Sequence, residues 1–296
     1  MPLCRTLGSG LCLSLLLALT ACDPPHGTRI VIGAKNFTEQ VLLGELLAQQ
    51  IEATGEKVDR RFYLAGSYIA HQALLSGRID AYVEYTGTAL TSILKQPLDH
   101  DADRVQATIR RLYAQQGVQV QPSLGFENTF AMVVRQQDAD RLHLTNLSDL
   151  RAAAPNMRLG VGYEFEERPD GLHGMEQAYN LHFQGTPRLM DLGLLYRAIG
   201  NHQVDIIAAN STDGAITALG LRVLADDRHY FPPYQAVPLV RMDTLRAHPA
   251  MQAALNRLNG SLTEAAMQGM NHAVEGDHRD PADVVKEWRS SRAELL

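Results

Sequence analysis

The sequence predicts an α/β protein whose two similar lobes face one ligand cleft. The main observation is an echo between residues 73–88 and residues 197–214. Each stretch has the pattern of a helix end, a short buried strand that carries Asp80 or Asp205, and a polar loop that opens another helix. Such loops lie at the carboxyl ends of strands, where open α/β sheets bind ligands. Two of them, over a hundred residues apart, indicate two lobes around one cleft.

The composition is that of an ordinary globular protein. The chain has 296 residues, of which 45% are hydrophobic and 20% are charged, so it can bury one large core or two modest ones. The net charge of -6 and the lack of any basic run argue against non-specific binding of nucleic acid.

The N-terminus has the pattern of a secretion signal. Residues 11–19 form a short apolar run behind Arg5, which predicts a signal peptide over residues 1–21. The run ends at Cys22 in a stretch that resembles a bacterial lipoprotein processing site, and this resemblance implies cleavage before Cys22 and lipidation of its thiol. Asp23 resembles the signal that retains such lipoproteins at the inner membrane. The alternative is a soluble periplasmic protein whose cysteine is incidental.

After a short tether over residues 22–28, the chain alternates strands and helices. The predicted elements are a strand at 29–33, a helix that opens at 34–40 and closes at Gly55, a strand at 58–64, a helix at 69–75, a strand at 79–83 and a helix from residue 88. Asn36 and Glu39 have the spacing of a capping box at the start of the first helix. Alternation of this kind favours a largely parallel sheet.

The rest of the chain predicts a second α/β block and a helical end. The predicted strands are 118–120, 130–135, 158–162, 204–208, 222–224 and a return strand from 239, and the predicted helices are 104–116, 147–154, 174–180, 192–200, 251–258, 261–269 and 281–295. Pro232 and Pro233 fix φ within a rigid extended turn at 231–234. We expect the helical end to pack back on the first block.

Six motifs, in order, resemble one protein family. From Ile30 onward the chain is similar to the substrate-binding proteins of bacterial quaternary-amine ABC transporters, which serve glycine betaine, choline, carnitine and other osmoprotectants. The matching motifs are GAKNFTEQ at 33–40, YVEYTGTAL at 82–90, LGFENTF at 124–130, EFEERPDG at 164–171, NSTDG at 210–214 and FPPYQA at 231–236. The resemblance implies a two-lobed type II periplasmic-binding-protein fold, with lobe 1 over 29–127 and 236–296 and lobe 2 over 128–235.

The resemblance also implies a function and its partners. The protein would be a periplasmic binding protein, and no cofactor or metal is expected.

 It would capture a small quaternary-amine ligand by lobe closure and dock in the closed form on an ABC permease in the inner membrane, as a monomer held to that membrane by its lipid anchor.

The family's ligands carry a trimethylammonium group, which cannot donate a conventional N–H hydrogen bond and is held by aromatic faces. Carried over by position, Tyr85, Phe130 and Tyr234 match the aromatic-cage positions. A carboxylate at the other end of the ligand needs donors and positive charge, and Lys35, Thr88 and Arg168 match the residues that supply them.

Two positions depart from the family pattern. Asn210 stands where the family commonly has a Tyr, so the cage lacks one wall. Phe130 replaces a Tyr, and Asn128, two residues earlier, stands where some members carry an Asp, so a phenol and a negative charge are missing. Asn128 and Asn210 are nevertheless candidate ligand-binding residues by position. We expect weaker binding of small betaines, or a larger ligand such as ergothioneine that fills the gap.

Each of these residues also has an ordinary structural interpretation. Lys35 and Arg168 are of a type that is usually solvated, Phe130 lies in an apolar strand, and Asn210 has the chemistry of a helix cap. Tyr85 could be an ordinary half-buried residue at the end of a strand, and Tyr234 could only fill space at the connection between the lobes.

Other classes of function are less well supported. An enzyme would need a catalytic motif, and the chain has neither a Gly-x-Ser-x-Gly elbow nor a His-Glu-x-x-His pair. A lipoprotein with a purely structural or docking role is one alternative, and the absence of any ligand-induced shift in melting temperature would favour it. A sensor, or a binder of another ligand class, would keep the binding role and is a second alternative.

Overall fold

A computed structural model describes residues 29–292 of the chain. The predicted signal peptide at 1–21, the tether at 22–28 and the lipidation of Cys22 lie outside the described residues. The described chain folds around two five-stranded mixed sheets, each with helices against it. Within this part of the chain, no helix is both long enough and apolar enough to cross a membrane.

The first sheet has the strand order β2-β1-β3-β10-β4. Its strands and their helices are β1 (Arg29–Lys35), α1 (Thr38–Glu52), β2 (Lys57–Leu64), α2 (Gly66–Leu75), β3 (Ala81–Tyr85), α3 (Ala102–Ala114), β4 (Val118–Val120) and β10 (Ala236–Arg241). A π-helical turn, Thr88–Ile93, follows β3. The order of strands and helices agrees with the alternation predicted from the sequence.

The second sheet has the strand order β7-β6-β8-β5-β9. Its elements are β5 (Phe130–Arg135), α4 (Gln136–Leu142), α5 (Leu150–Ala153), β6 (Leu159–Val161), α6 (Tyr163–Glu167), α7 (Leu172–Tyr179), β7 (Arg188–Leu189), α8 (Leu192–Gly200), β8 (Ile206–Asn210), α9 (Gly214–Ala218) and β9 (Leu221–Val223). After β10 come four helices, α10 (Met242–Ala247), α11 (Pro249–Asn256), α12 (Glu264–Glu275) and α13 (Pro281–Ser290).

The prediction of a largely parallel sheet holds only for part of each sheet. β1 is parallel to β2 and β3, whereas β10 is antiparallel to β3 and β4. The chain that returns from the second sheet enters beside the carboxyl end of β3, with Ala236 opposite Tyr85, so β10 has to run the other way. The second sheet repeats this arrangement, because β5 runs antiparallel to β8 and pairs Phe130 with Asn210.

The chain passes between the sheets twice, and the two connecting segments lie side by side. The first connection runs from Val120 to Phe130, and the second runs from Val223 to Ala236. They meet in an antiparallel bridge between Glu127 and Gln235. Beside it, the Asn128 N–H donates to the Tyr234 carbonyl at 3.2 Å. A hinge between two bodies needs such a short, shared connection.

The two echoing strands are anchored in the same way. The Asp80 carboxylate accepts a hydrogen bond from the backbone N–H of Val31 at 2.7 Å. Asp205 accepts one from the backbone N–H of Arg158 at 2.9 Å. Both aspartates therefore have a structural role as acceptors of backbone N–H groups.

The C-terminal helices pack on the first block, as expected. α11, α12 and α13 all contact α1, and α12 also contacts α9 of the second sheet. The capping box predicted at Asn36 and Glu39 is wrong, because the N-cap of α1 is Phe37 and no side chain caps it. Glu39 is instead 1% exposed, and its carboxylate bonds to residues far away in the sequence.

Candidate functional site

One cavity of about 650 Å³ lies where the ends of the two sheets face each other. Its wall contains every residue that the sequence nominated for ligand contact, and these come from both sheets and from the connections between them. They are Lys35, Tyr85, Thr88, Asn128, Phe130, Arg168, Asn210 and Tyr234. Tyr68 and Tyr163 also line the cavity, and both side chains are exposed.

Lys35 ends β1 and is buried, with its charge already balanced. Its ammonium donates to the Glu84 carboxylate at 2.6 Å and to the Ser67 hydroxyl at 3.2 Å. The nitrogen lies 4.8 Å from the centroid of the Tyr85 ring. Glu84 is completely buried, so it depends on Lys35 to balance its charge. Lys35 therefore does not present an uncompensated positive charge to the cavity.

Tyr85 stands at the carboxyl end of β3 and is held by its phenol. The hydroxyl donates to Glu39 at 2.5 Å and accepts from the Gln40 amide at 3.1 Å. Burial raises the pKa of Tyr85, so the phenol stays a neutral donor. These bonds fix the ring in a part of the cavity wall where an aromatic face can meet a cation.

Arg168 follows α6 and makes a bidentate pair with Asp170, with Nε and Nη2 at 2.9 and 2.6 Å from the carboxylate oxygens. The resemblance implies that Arg168 serves a ligand carboxylate, and in this structure two of its nitrogens are engaged by Asp170. The remaining Nη1 donates to the Thr88 hydroxyl at 2.8 Å, which links the second half of the site to the first. Burial works to lower the pKa of Arg168, but Tyr234 and Asp170 outweigh it and the pKa is raised.

Phe130 and Tyr234 form one aromatic wall. Their centroids are 5.8 Å apart in a T-shaped arrangement, and Phe130 stacks edge-on against Phe165 at 4.9 Å. The Tyr234 hydroxyl donates to Asp170, which fixes the ring. The Arg168 guanidinium carbon lies 4.7 Å from the Phe130 centroid, so part of the aromatic surface already carries a cation.

Asn210 ends β8, opposite Phe130, and brings no aromatic face to the wall. Its side-chain amide donates to the Asp213 carboxylate at 3.4 Å. Capping of the next helix by Asn210 is not seen, because the N-cap of α9 is Asp213. Burial raises the pKa of Asp213 to about 7, and the nearby Glu275 carboxylate adds to the rise.

A buried carboxylate behind the cavity was missed by the sequence reasoning. Glu39 accepts hydrogen bonds from Tyr85, from the Asn128 amide at 2.8 Å, from the Thr212 hydroxyl and from the Asn271 amide at 3.0 Å. Burial raises the pKa of Glu39 in spite of these donors. No spacing in the sequence brings these five positions together, so only the folded chain reveals them.

Glu164 was also missed, although it opens one of the six family motifs. Its carboxylate crosses the cavity and accepts from the backbone N–H of Ser67 at 2.7 Å and from the Ser67 hydroxyl at 3.1 Å. Burial works to raise the pKa of Glu164, but the charge of Lys35 and the bonds from Ser67 outweigh it, and the pKa is lowered. The carboxylate is therefore ionised at neutral pH.

No cluster of three or more His, Cys, Asp or Glu side chains with the geometry of a metal site occurs among residues 29–292. The cavity thus consists of aromatic faces, paired charges and hydroxyl or amide groups. Such a set can hold a small organic cation or zwitterion without forming a covalent bond to it.

Comparison with known proteins gives one consistent result. The family model OpuAC, described as the substrate-binding domain of ABC-type glycine betaine transport systems, matches residues 28–291. The chain is 33% identical over 289 residues to the carnitine transport binding protein OpuCC of Listeria monocytogenes, with 95% of this chain and 94% of the relative covered.

Two further similarities bear on the site. The chain is 32% identical over 261 residues to the ergothioneine transport permease/ergothioneine binding protein EgtU of Helicobacter pylori; the match covers 88% of this chain but spans about half of that relative, 47%. A solved structure described as a glycine betaine/carnitine/choline ABC transporter superposes with a TM-score of 0.76 at 31% identity, covering 90% of this chain and 100% of the other.

Proposed function

This chain belongs to the OpuAC family of substrate-binding domains of ABC-type glycine betaine transport systems, and from that premise we propose that it captures a quaternary-ammonium compound by lobe closure. As a substrate-binding protein of a transport system, it is not an enzyme. The closed, ligand-loaded form would then deliver the compound to a membrane permease.

The observation that supports this proposal is the shared cavity. Aromatic side chains line it from both sheets, Tyr85 from the first and Phe130 from the second, with Tyr234 from the connection between them. Its volume of about 650 Å³ falls within the range of about 300–1,000 Å³ that is usual for small-molecule sites. A ligand that touches both sheets favours the closed form over the open one, because only the closed form offers both contacts.

The lobes in this proposal are residues 29–127 with 236–296, and residues 128–235. The paired connections at Glu127 and Gln235 would serve as the hinge. The bond from Arg168 to Thr88 joins the two lobes across the cleft, so it would have to break when the lobes open.

A second candidate is a larger betaine such as ergothioneine. The observation that favours it is that Asn210 itself brings no aromatic ring, while the non-aromatic side chains of Met190, Leu192 and Ala209 also line the cavity. A thioether and aliphatic groups pack well against a flat, polarisable ring, whereas they offer no aromatic face to an ammonium group. The similarity to the ergothioneine-binding relative is consistent with this candidate.

The family and the sequence of residues 1–28 support a proposal for the location of the protein. We propose a periplasmic protein held at the inner membrane by a lipid on Cys22. Replacement of Cys22 with Ser should move the protein from the membrane fraction to the soluble periplasmic fraction. Retention of the Cys22→Ser variant in the membrane fraction would rule out this anchor.

The central test is calorimetric titration with glycine betaine, choline, carnitine and ergothioneine. We expect at least one to bind, with ergothioneine tighter than glycine betaine. Sub-micromolar binding of glycine betaine would contradict the idea that the incomplete cage weakens the binding of small betaines. If none of the four binds or shifts the melting temperature, the structural or docking alternative is favoured.

A matched pair of variants locates the site. Phe130→Leu removes an aromatic face of the cavity, and Phe62→Leu removes one that packs on α1 outside the cavity. We expect the first to weaken binding by about tenfold and the second to leave binding unchanged. Equal effects of both variants would mean that the loss reflects stability and not ligand contact.

A further inference from the structure

The aromatic lining of the cavity has a buried inner part and an exposed outer part. Tyr85 and Tyr234, on the inner part, are 4% and 2% exposed. Tyr68, in the first turn of α2, and Tyr163, the first residue of α6, line the same cavity and are 64% and 54% exposed. A side chain that lines a cavity and is more than half exposed lies where the cavity opens to solvent. The outer part therefore receives one ring from the helix after β2 of the first sheet and one from the helix after β6 of the second.

A pair of hydrogen bonds beside these tyrosines joins the two sides of the cavity. The backbone N–H and the hydroxyl of Ser67 donate to the Glu164 carboxylate at 2.7 and 3.1 Å. Tyr68 directly follows Ser67, and Tyr163 directly precedes Glu164. The bonds therefore hold the two rings beside the same opening, and they would break when the proposed lobes separate.

The two outer rings are free to make new contacts. Among residues 29–292, the side chains of Tyr68 and Tyr163 have no hydrogen bond and no contact with another ring or with a cation. The inner rings differ, because hydrogen bonds hold the phenols of Tyr85 and Tyr234 in place. Single exposed rings are ordinary on a protein surface, but two uncommitted rings on the wall of one cavity offer two faces to its occupant. Only two torsions orient a tyrosine ring, so such a contact costs little conformational entropy.

Apolar side chains border the outer part beside Tyr163. The N–H of Met190 donates to the Val161 carbonyl at 3.1 Å, and a Cβ added at Gly162 would lie 2.7 Å from a methyl carbon of Leu192. Val161 and Gly162 directly precede Tyr163, so the thioether and the isobutyl group lie beside the segment that carries its ring. Aromatic faces, a thioether and a branched alkyl group together suit a flat, polarisable ring. The outer part thus consists of Tyr68, Tyr163, Met190 and Leu192.

We propose that this outer part is a second subsite, which binds a flat, unsaturated ring on the ligand while the trimethylammonium group lies on the inner aromatic wall. A small betaine that carries no ring does not reach this subsite and gains no affinity from it. This inference rests on the proposed function and deepens it by naming the chemistry of a second group on the ligand.

The test compares probes that share the trimethylammonium group and the carboxylate and differ in the ring. The probe without a ring is the N-trimethylated form of alanine. The probes with a flat ring on the same carbon are the N-trimethylated form of phenylalanine and ergothioneine. Each probe is titrated calorimetrically into the wild type, into Tyr68→Leu, into Tyr163→Leu and into the control variant Tyr63→Leu.

Tyr63 provides the matched control, because it is an exposed tyrosine at the end of β2 that is not part of the cavity wall. Leucine keeps an apolar side chain at each position and removes the aromatic face. We expect Tyr68→Leu and Tyr163→Leu each to weaken the binding of at least one ring-bearing probe by about threefold or more, and to leave the binding of trimethylated alanine within about twofold. Tyr63→Leu should leave all three affinities within about twofold. Thermal melting by circular dichroism verifies that the variants fold.

The outcomes separate the subsite from the proposed function. Unchanged affinities for both ring-bearing probes in Tyr68→Leu and Tyr163→Leu overturn the subsite and leave the proposed function standing. An equal loss for all three probes also overturns it, because the tyrosines would then act on lobe closure and not on the ring. A wild type that binds trimethylated alanine but neither ring-bearing probe overturns it as well. If neither these probes nor glycine betaine, choline or carnitine bind to the wild type, the proposed function is wrong and this inference falls with it.

Discussion

The loop after β3 and the loop after β8 begin alike and end in different roles. Both follow a strand that an aspartate anchors to a neighbouring segment of the same sheet, and both lead into a helical turn. In the first loop, Tyr85 and Thr88 turn toward the cavity. In the second loop, Asn210 bonds locally to Asp213, and the Thr212 hydroxyl donates to the buried Glu39 carboxylate behind the cavity.

The two loops meet at a single carboxylate. Tyr85 donates to one oxygen of Glu39, and Thr212 donates to the other. Asn271 of α12 donates to the same oxygen as Thr212, so the C-terminal helices join the arrangement. The difference teaches that one supersecondary pattern, used twice, supplies a ligand wall in one copy and an anchor between the two halves in the other.

The largest effect should come from removing the shared carboxylate. Glu39→Ala leaves four buried donors without their acceptor, and we expect the free energy of unfolding to fall by about 3–5 kcal/mol. Urea denaturation measures it, with the exposed Glu167→Ala as a control that should change by less than about 0.5 kcal/mol. A loss no larger than that of the control would mean that Glu39 does not join the two loops.

The next effect concerns pH and belongs to the second loop alone. The unfolded Asp213 carboxyl ionises near pH 4, whereas burial holds its folded pKa at about 7, so the folded state binds more protons in between. The contribution of Asp213 to stability therefore falls as pH rises from about 4 to about 7, by about 2–4 kcal/mol.

The Asp213→Asn variant isolates this contribution. Its stability relative to the wild type, measured by urea denaturation at pH 5 and pH 8, should be greater at pH 8. The exposed Asp103→Asn variant should show no such trend. A constant difference between Asp213→Asn and the wild type across this range would contradict the raised pKa.

Binding should depend on the ring of Tyr85 more than on its hydroxyl. Tyr85→Leu removes the aromatic face, and we expect about a tenfold loss of affinity for the quaternary-ammonium ligand that the titration panel identifies. Tyr85→Phe keeps the face and removes only the hydroxyl with its bonds to Glu39 and Gln40, so affinity should change by less than about threefold while stability falls by about 1 kcal/mol. Similar affinities of the two variants would deny the ring a role in binding.

The smallest effect should come from restoring the symmetry of the two loops. Asn210→Tyr adds an aromatic face where the second loop lacks one, and the affinity for glycine betaine should rise by about 0.5–2 kcal/mol. Ergothioneine binding should weaken in the same variant, because the new ring fills space that the larger ligand would use. Asn210→Ala serves as the control, and an equal gain for both compounds in Asn210→Tyr would contradict the argument about size.

Local patterns in the sequence were enough to predict much of this protein. The alternation of strands and helices, the echo around Asp80 and Asp205 and the set of cavity residues all depend on short-range spacing or on ordered motifs, and the structure brings the eight nominated side chains to one cavity. The prediction for Asn36 and Glu39 failed for a physical reason. An Asn and a Glu three residues apart have the spacing of a capping box, but the same Glu can also turn into the core. Here donors from distant parts of the chain hold the Glu39 carboxylate in the core.

The sequence by itself determined the fold class, the family and the list of side chains that surround the cleft, because these are written in periodicity and motif order. The tertiary structure alone decided how the charges are paired. Lys35 with Glu84, Arg168 with Asp170 and Glu164 with Ser67 depend on where separate elements meet. Electrostatic interactions in a buried site vary with distances of a few ångströms, which no linear pattern specifies.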